Sequence, residues 1–151
     1  MGELSKSEQQ KLKQDFITGF SILDADGQNS GIAGHLTARI GRSEQLLGHQ
    51  YGLAFDEVDT SQVRQVDFAL KAAYDGKVSP SLAFHVALYR NRSDIGAIVH
   101  SHPDQVIAFS ATGAPFEPVL QSALMLHEKV AHYDAGSYTH LRAHETSVDL
   151  V

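Results

Sequence analysis

The sequence contains no cysteine in its 151 residues. This absence excludes disulfides and thiolate metal ligands, so any metal ion must be held by imidazole or oxygen ligands. The sequence also lacks an apolar run near the roughly 20 residues that cross a bilayer. Residues 1–6, MGELSK, are polar where a signal peptide needs an apolar stretch. Together these absences predict a cytoplasmic protein with no membrane partner.

Positive charge is sparse as well. The sequence has 12 Lys and Arg against 18 Asp and Glu, for a net charge of −6. A surface that binds nucleic acid needs clustered Lys and Arg, and the sequence has no such cluster, so we expect no nucleic-acid partner. The chain is long enough for one domain with its own core and too short for two of ordinary size.

The apolar pattern predicts an amphipathic helix over residues 4–23, which begins with a capping box formed by Ser5 and Glu8. Further elements follow from residue spacing and turn formers: strands at 34–40, 51–55, 63–70 and 95–102, and helices at 81–89 and 105–110. This order of helix, several strands, helix, strand and helix predicts a layered α/β domain.

The segment 97–103, AIVHSHP, is an apolar strand that ends in a His-x-His pair. Alternate side chains of a strand point to the same face, so His100 and His102 can share one divalent ion. The same pattern also occurs in strands that bind no metal, and the pair alone leaves both interpretations open.

Two separated motifs resemble the class II aldolase/adducin family. Residues 34–39, GHLTAR, resemble the start of one of its strands, and residues 84–103, with Phe84-His85, Tyr89, Arg92, Asp94 and the His-x-His pair, resemble its central signature. The resemblance runs from about residue 12 to residue 135. It implies a three-layer α/β/α sandwich around a mostly antiparallel sheet, usually assembled as a homotetramer. It also implies zinc or another divalent ion that stabilises an enediolate of a small hydroxy-carbonyl or carboxylate substrate, in aldol cleavage or a related decarboxylation.

The resemblance also implies roles for particular residues. His100 and His102 would ligate the metal. The turn that contains Gly31, Gly34 and His35 would offer backbone N–H groups to an anionic substrate group, and Ser79 aligns with a serine that contacts phosphate in relatives. Ordinary requirements of a tight turn and of a helix N-cap explain the glycines and Ser79 equally well.

The chain departs from the family pattern at Ser81, where relatives carry a Glu that ligates the metal and acts as acid and base. A serine hydroxyl barely ionises near neutral pH, so His85 becomes the candidate general base. Relatives carry a third metal-binding histidine beyond the length of this chain, and we expect the chain by itself to be inactive. A non-catalytic, adducin-like interaction domain is the main alternative. A JAMM-type zinc peptidase is a remote one, because Gly113 stands where that class has its aspartate ligand.

Residues 137–146, SYTHLRAHET, resemble one reading frame of a transposase-type sequencing adapter. We therefore predict a partial domain over residues 1–136 and a non-native tail over residues 137–151. Such a C-terminally incomplete domain is expected to have an uncovered sheet edge and exposed apolar surface, both of which favour aggregation.

Overall fold

The computed structural model describes residues 4–131. Helix α1 spans Lys6–Ala25, and a short 3₁₀ turn at Gly31–Ala33 leads into the first strand. The remaining elements follow in chain order: β1 (His35–Arg39), β2 (Gln45–His49), a 3₁₀ turn (Phe55–Glu57), β3 (Val63–Asp67), α2 (Lys71–Tyr74), α3 (Leu82–Asn91), β4 (Ala97–His100), α4 (Asp104–Ala111) and a 3₁₀ segment (Gln121–Leu126). No helix among these described residues is long and apolar enough to cross a membrane.

Helix α1 begins as its sequence predicts. The Ser5 hydroxyl accepts a hydrogen bond from the Glu8 N–H at 3.3 Å, and the Glu8 carboxylate accepts one from the Ser5 N–H at 2.8 Å. These two bonds satisfy backbone donors that the first turn of a helix leaves free. The predicted capping box is confirmed.

The four strands form one antiparallel sheet in the order β3-β2-β1-β4. Strand β1 is one of the two inner strands, and its residue His35 lies directly opposite His100 of β4. Strand β4 is an edge of this sheet within the described part of the chain. The predicted α/β fold with an antiparallel sheet is confirmed.

Each face of the sheet packs against a helix, which gives three layers. Phe16 and Phe20 of α1 pack on one face, with Leu36, Ala38, Leu47, Phe55 and Val58. Leu82, Val86 and Tyr89 of α3 pack on the other, with Leu46, Val66, Phe68 and Val78. Alternation along β1 produces this division, because Leu36 and Ala38 face α1 while Thr37 between them faces α3.

The predicted strand at residues 51–55 is wrong. Residues 51–55 form a turn followed by a 3₁₀ helix, because Gly52 has a φ of +89° and bends the chain. The strand lies earlier, at Gln45–His49, where Leu46 and Leu47 enter the two opposite cores. A strand buried on both faces shows no apolar alternation, which explains why the pattern missed it.

The chain divides into two compact units after Ile107. The first unit holds the sheet and its two helical layers. In the second unit, the described residues include exposed apolar side chains such as Val119 and Met125, with exposures of 83% and 76%. The predicted exposed apolar surface and open sheet edge are therefore present in residues 4–131, whereas the predicted tail at 137–151 lies outside them.

Candidate metal centre

Three histidines from three elements meet on the α3 side of the sheet. His35 begins β1, His100 ends β4 opposite it, and His85 lies on α3. One ring nitrogen from each histidine lies within 4.8 Å of the others. We call these three residues the imidazole cluster. Because the cluster contains no carboxylate, its chemistry is that of neutral nitrogen ligands.

Burial keeps the cluster uncharged. His35 is 4% exposed and His85 is fully buried. Desolvation, with a smaller contribution from neighbouring histidines, lowers the pKa of His35 to about 4 and that of His85 to about 3. Burial also lowers the pKa of His100, and His102 adds to the effect. At neutral pH these rings are therefore neutral, the form that binds a metal ion.

Thr37 and Tyr89 hold His85 in place. The Thr37 hydroxyl lies 2.8 Å from Nδ1 of His85 and 2.9 Å from the Tyr89 hydroxyl, and the Tyr89 hydroxyl donates to the Thr37 backbone carbonyl at 3.1 Å. Thr37 is fully buried and Tyr89 is 1% exposed. Burial raises the pKa of Tyr89, which keeps its hydroxyl protonated and able to donate.

Arg39, two residues beyond Thr37 on β1, fastens the end of α3 to the sheet. Its guanidinium donates to the backbone carbonyls of Tyr89 and Arg92 and lies over the Tyr89 ring, 4.8 Å from the ring centroid. Cations that bind the last carbonyls of a helix stabilise its C-terminus. The position of His85 relative to β1 is therefore determined by two contacts between α3 and the strand, one through Thr37 and one through Arg39.

The His-x-His pair comes together as the sequence predicts. Nε2 of His100 lies 2.9 Å from Nε2 of His102, and Nδ1 of His102 lies 3.3 Å from the Ser30 hydroxyl. His102 lies two residues beyond the end of β4 and is partly exposed, so it stands on the open side of the cluster. His100 is thus shared between the exposed pair and the buried cluster.

The residues that the sequence assigns to anion binding have local roles. The Gly31 N–H donates to the Asn29 side chain at 3.2 Å. Gly34 packs under Phe55, because a Cβ there would lie 2.4 Å from the Phe55 ring. The Ser79 hydroxyl accepts from the Ser81 N–H at 3.2 Å, and the Ser81 side chain makes no capping bond. Anion binding by this set remains a prediction.

Sequence reasoning missed Thr37 and Tyr89 as parts of the site. A signal for them is present: Thr37 is two residues from His35 on one strand face, and Tyr89 is four residues from His85 on one helix face. It also missed His49 of β2, whose ring lies 5.0 Å from that of Phe20 and whose pKa is lowered to about 4 by burial.

Comparison with known proteins gives consistent matches. The 3,4-dihydroxyphthalate decarboxylase of Arthrobacter keyseri is 35% identical in an alignment of 109 residues that covers 66% of this chain and 43% of that enzyme. An aldolase II superfamily protein from Pseudomonas syringae has a TM-score of 0.72 at 24% identity, covering 86% of this chain and 53% of its own. An L-fuculose 1-phosphate aldolase from Glaciozyma antarctica PI12 also has a TM-score of 0.72, at 23% identity. The match covers 87% of this chain and 56% of the aldolase.

The chain therefore spans about half the length of the relatives it matches. The sequence model described as Class II Aldolase and Adducin N-terminal domain matches residues 14–148. That match covers most of the chain, and the two solved structures share its fold. The chain belongs to the class II aldolase and adducin N-terminal domain family.

Proposed function

We propose that this chain is the metal-binding part of a metal-dependent lyase that breaks a carbon–carbon bond in a small hydroxy-carbonyl or carboxylate substrate. The neutral imidazole cluster carries the proposal, because it concentrates ligand nitrogens at one place in the fold. The relatives support the reaction class, since one is a decarboxylase and another an aldolase, and both names denote cleavage of such a bond.

A bound divalent ion supplies Lewis acidity, which stabilises the negative charge that bond cleavage leaves on a substrate oxygen. The residues fit such an ion because burial keeps His35 and His85 neutral, and each of them has a buried ring nitrogen that lacks a hydrogen-bond partner. Nitrogen ligands without thiolates suit zinc, and zinc is the ion we expect. His100 and His102 are the ligands that the sequence predicts, and their Nε2 atoms are close enough to converge on one ion.

Other residues of the chain position this site. Thr37 and Tyr89 orient His85, and Arg39 ties α3 to β1. Ser79 retains a hydroxyl hydrogen that it can donate to a substrate anion, since its oxygen is the acceptor in its bond to Ser81. Ser79 together with Gly31, Gly34 and His35 remains our proposal for the anionic end of the substrate.

A non-catalytic interaction domain is the second candidate. Ser81 supports it, because a serine replaces the acid and base of the family at the start of α3. The open edge of β4 and the half-exposed Val99 on it also offer surface to a partner or to further copies of the chain. We expect the intact protein to be a homo-oligomer under either function.

The test measures bond cleavage in the chain alone and in a fusion that adds the C-terminal half of the Arthrobacter keyseri decarboxylase. Release of CO₂ from 3,4-dihydroxyphthalate and retro-aldol cleavage of L-fuculose 1-phosphate are followed with Zn²⁺ and with EDTA. We expect an inactive chain and a fusion whose turnover of one substrate requires the metal. A folded fusion that binds zinc and turns over neither substrate would favour the interaction domain.

A further inference from the structure

The hydrogen bonds around Thr37 determine which nitrogen of His85 carries the proton. Three contacts must be made with three hydrogens, one each from Tyr89, Thr37 and His85. A carbonyl cannot donate, so the Tyr89 hydrogen goes to the Thr37 carbonyl. The contact between the two hydroxyls must then use the Thr37 hydrogen, and the remaining contact must use the Nδ1–H of His85. Only this assignment satisfies all three contacts.

It follows that Nε2 of His85 is a bare lone pair. This atom is completely buried and has no hydrogen-bond partner. Nδ1 of His35, in a side chain that is 4% exposed, is buried and without a partner in the same way. A buried polar atom that has no hydrogen-bond partner destabilises the fold. Two unpaired ring nitrogens in one cluster, with the nitrogen of His85 assigned as a lone pair, indicate a site for a metal ion that takes imidazole ligands.

His100 completes the set. The register of β1 and β4 places it opposite His35, and their rings lie 5.5 Å apart between centroids at an interplanar angle of 86°. The ligand nitrogens of the three residues are already within 4.8 Å of one another. Tetrahedral zinc with bonds of about 2.05 Å would hold such nitrogens about 3.3 Å apart. Modest rotation of the rings would therefore close the site.

We propose that His35, His85 and His100 form a buried three-imidazole site for a divalent transition metal, with His102 on its open side. The proposal rests on the metal-dependent function proposed above and deepens it by naming a ligand set made entirely of described residues. It also gives His85 a role other than that of general base, and it assigns His35 to the metal rather than to the anionic end of the substrate. A base must touch the substrate, whereas His85 has no exposed surface.

The alternative is a two-ligand site on His100 and His102, and matched substitutions separate the two. Leucine suits the buried positions, so the variants are His35→Leu, His85→Leu and His102→Leu. Co²⁺ is titrated at pH 7.5 into the full-length chain, and its visible absorption reports the coordination geometry. All variants are made in a background protein in which four further histidines are changed to Asn, so that they cannot bind the metal. These four are His127, His132, His140 and His144.

We expect intense tetrahedral absorption in the background protein and an affinity at least tenfold weaker after His35→Leu or His85→Leu. His102→Leu should retain the tetrahedral spectrum with a smaller loss of affinity. An unchanged affinity after His35→Leu, together with loss of binding after His102→Leu, would overturn the proposal. A spectrum that stays octahedral in the background protein would also overturn it.

A measurement on the unsubstituted background protein removes any dependence on the folding of variants. Long-range ¹H–¹⁵N spectra of the histidine rings should show His85 with its proton on Nδ1, and Zn²⁺ should shift the Nε2 resonance of that ring. A proton on Nε2, or no shift with Zn²⁺ bound, would contradict the proposal. If His35, His85 and His100 bind the metal but the fusion shows no turnover, the proposed function is rejected and the metal site stands. If the fusion shows metal-dependent turnover that His35→Leu does not change, the three-imidazole ligand set is rejected and the proposed function stands.

Discussion

Thr37 is the residue on which the geometry of His85 depends, because its hydroxyl contacts both Nδ1 of His85 and the hydroxyl of Tyr89. Groups that hydrogen-bond a ligand histidine fix its tautomer and its ring orientation, and their loss commonly costs 10- to 100-fold in metal affinity. A buried hydroxyl that bonds on both sides also contributes to the stability of the fold.

Thr37→Val should therefore weaken metal binding by roughly 10- to 100-fold and lower the free energy of unfolding by about 1–3 kcal/mol. Valine keeps the shape of the side chain and removes the hydroxyl. Thr18→Val is the matched control, because the Thr18 hydroxyl bonds a carbonyl on the exposed surface of α1. Zinc titration and urea unfolding of both variants measure the two effects, and an equal response of the two variants would reject the role of Thr37.

Buried histidines should also make the fold sensitive to acid. The pKa of His49 falls from 6.5 to about 4, mainly through burial. Between these values the unfolded chain binds a proton that the folded chain does not, so stability is full above pH 6.5 and declines as the pH falls towards 4. At pH 5 the loss from one such histidine is on the order of 2 kcal/mol.

His49→Leu should flatten this decline, measured by urea unfolding in EDTA at pH 7.5 and pH 5. EDTA removes any effect of bound metal on the cluster. His127→Leu serves as the control, since its side chain is 60% exposed. A decline that is the same in the His49→Leu variant and in the unsubstituted chain would mean that His49 titrates normally in the folded state.

At the scale of elements, a close contact between Gly34 and Phe55 determines how the chain passes from the 3₁₀ turn into β1. Gly34 precedes β1, and a Cβ built on it would lie 2.4 Å from Cζ of Phe55, whose side chain is 1% exposed. The aromatic ring therefore occupies the space that a side chain would need. His35 is the next residue, so this contact also affects the position of the first histidine of the imidazole cluster.

Gly34→Ala should destabilise the fold by about 1–3 kcal/mol, because either Phe55 or the start of β1 must move. Gly96→Ala is the matched control. A Cβ there would meet nothing within 4 Å, so that variant should be neutral or slightly stabilised. Thermal unfolding compares the two, and a Gly34→Ala variant as stable as Gly96→Ala would show that the contact is not tight.

The sequence predicted those parts of the site and fold that depend on local periodicity. The His-x-His spacing brings His100 and His102 together although β4 ends at His100, and the capping box marks the start of α1. The network of Thr37, His85 and Tyr89 depends on how β1 packs against α3, which no local pattern encodes. Strand β2 was missed for a related reason, since Leu46 and Leu47 pack into the cores on opposite faces of the sheet and leave no apolar alternation.

At the scale of the whole molecule, the described sheet ends at β4 with an open edge. Val99 on this strand is 49% exposed, and it lies on the side of the sheet that packs against α1, opposite Leu36. An open edge with apolar side chains is a surface on which strands of other copies can add. The same strand carries His100, so the edge and the imidazole cluster are adjacent.

Self-association of the chain should therefore involve β4, and Val99→Lys should reduce it. Charged side chains, lysine in particular, block pairing at sheet edges. Val106→Lys controls for added charge alone, because Val106 is 56% exposed on α4 and outside the sheet. Light scattering at increasing concentration should show less association for Val99→Lys only, and an equal reduction in both variants would assign the effect to net charge.

Zinc binding by the imidazoles is the central claim, and equilibrium dialysis of the chain against Zn²⁺ at pH 7.5 tests it most directly. His100 belongs both to the buried cluster and to the His-x-His pair, so His100→Leu removes either arrangement. The comparison uses the background that lacks His127, His132, His140 and His144. We predict one zinc ion per chain in that background and loss of that ion after His100→Leu. Equal zinc content in the two proteins, or none in either, would contradict the claim.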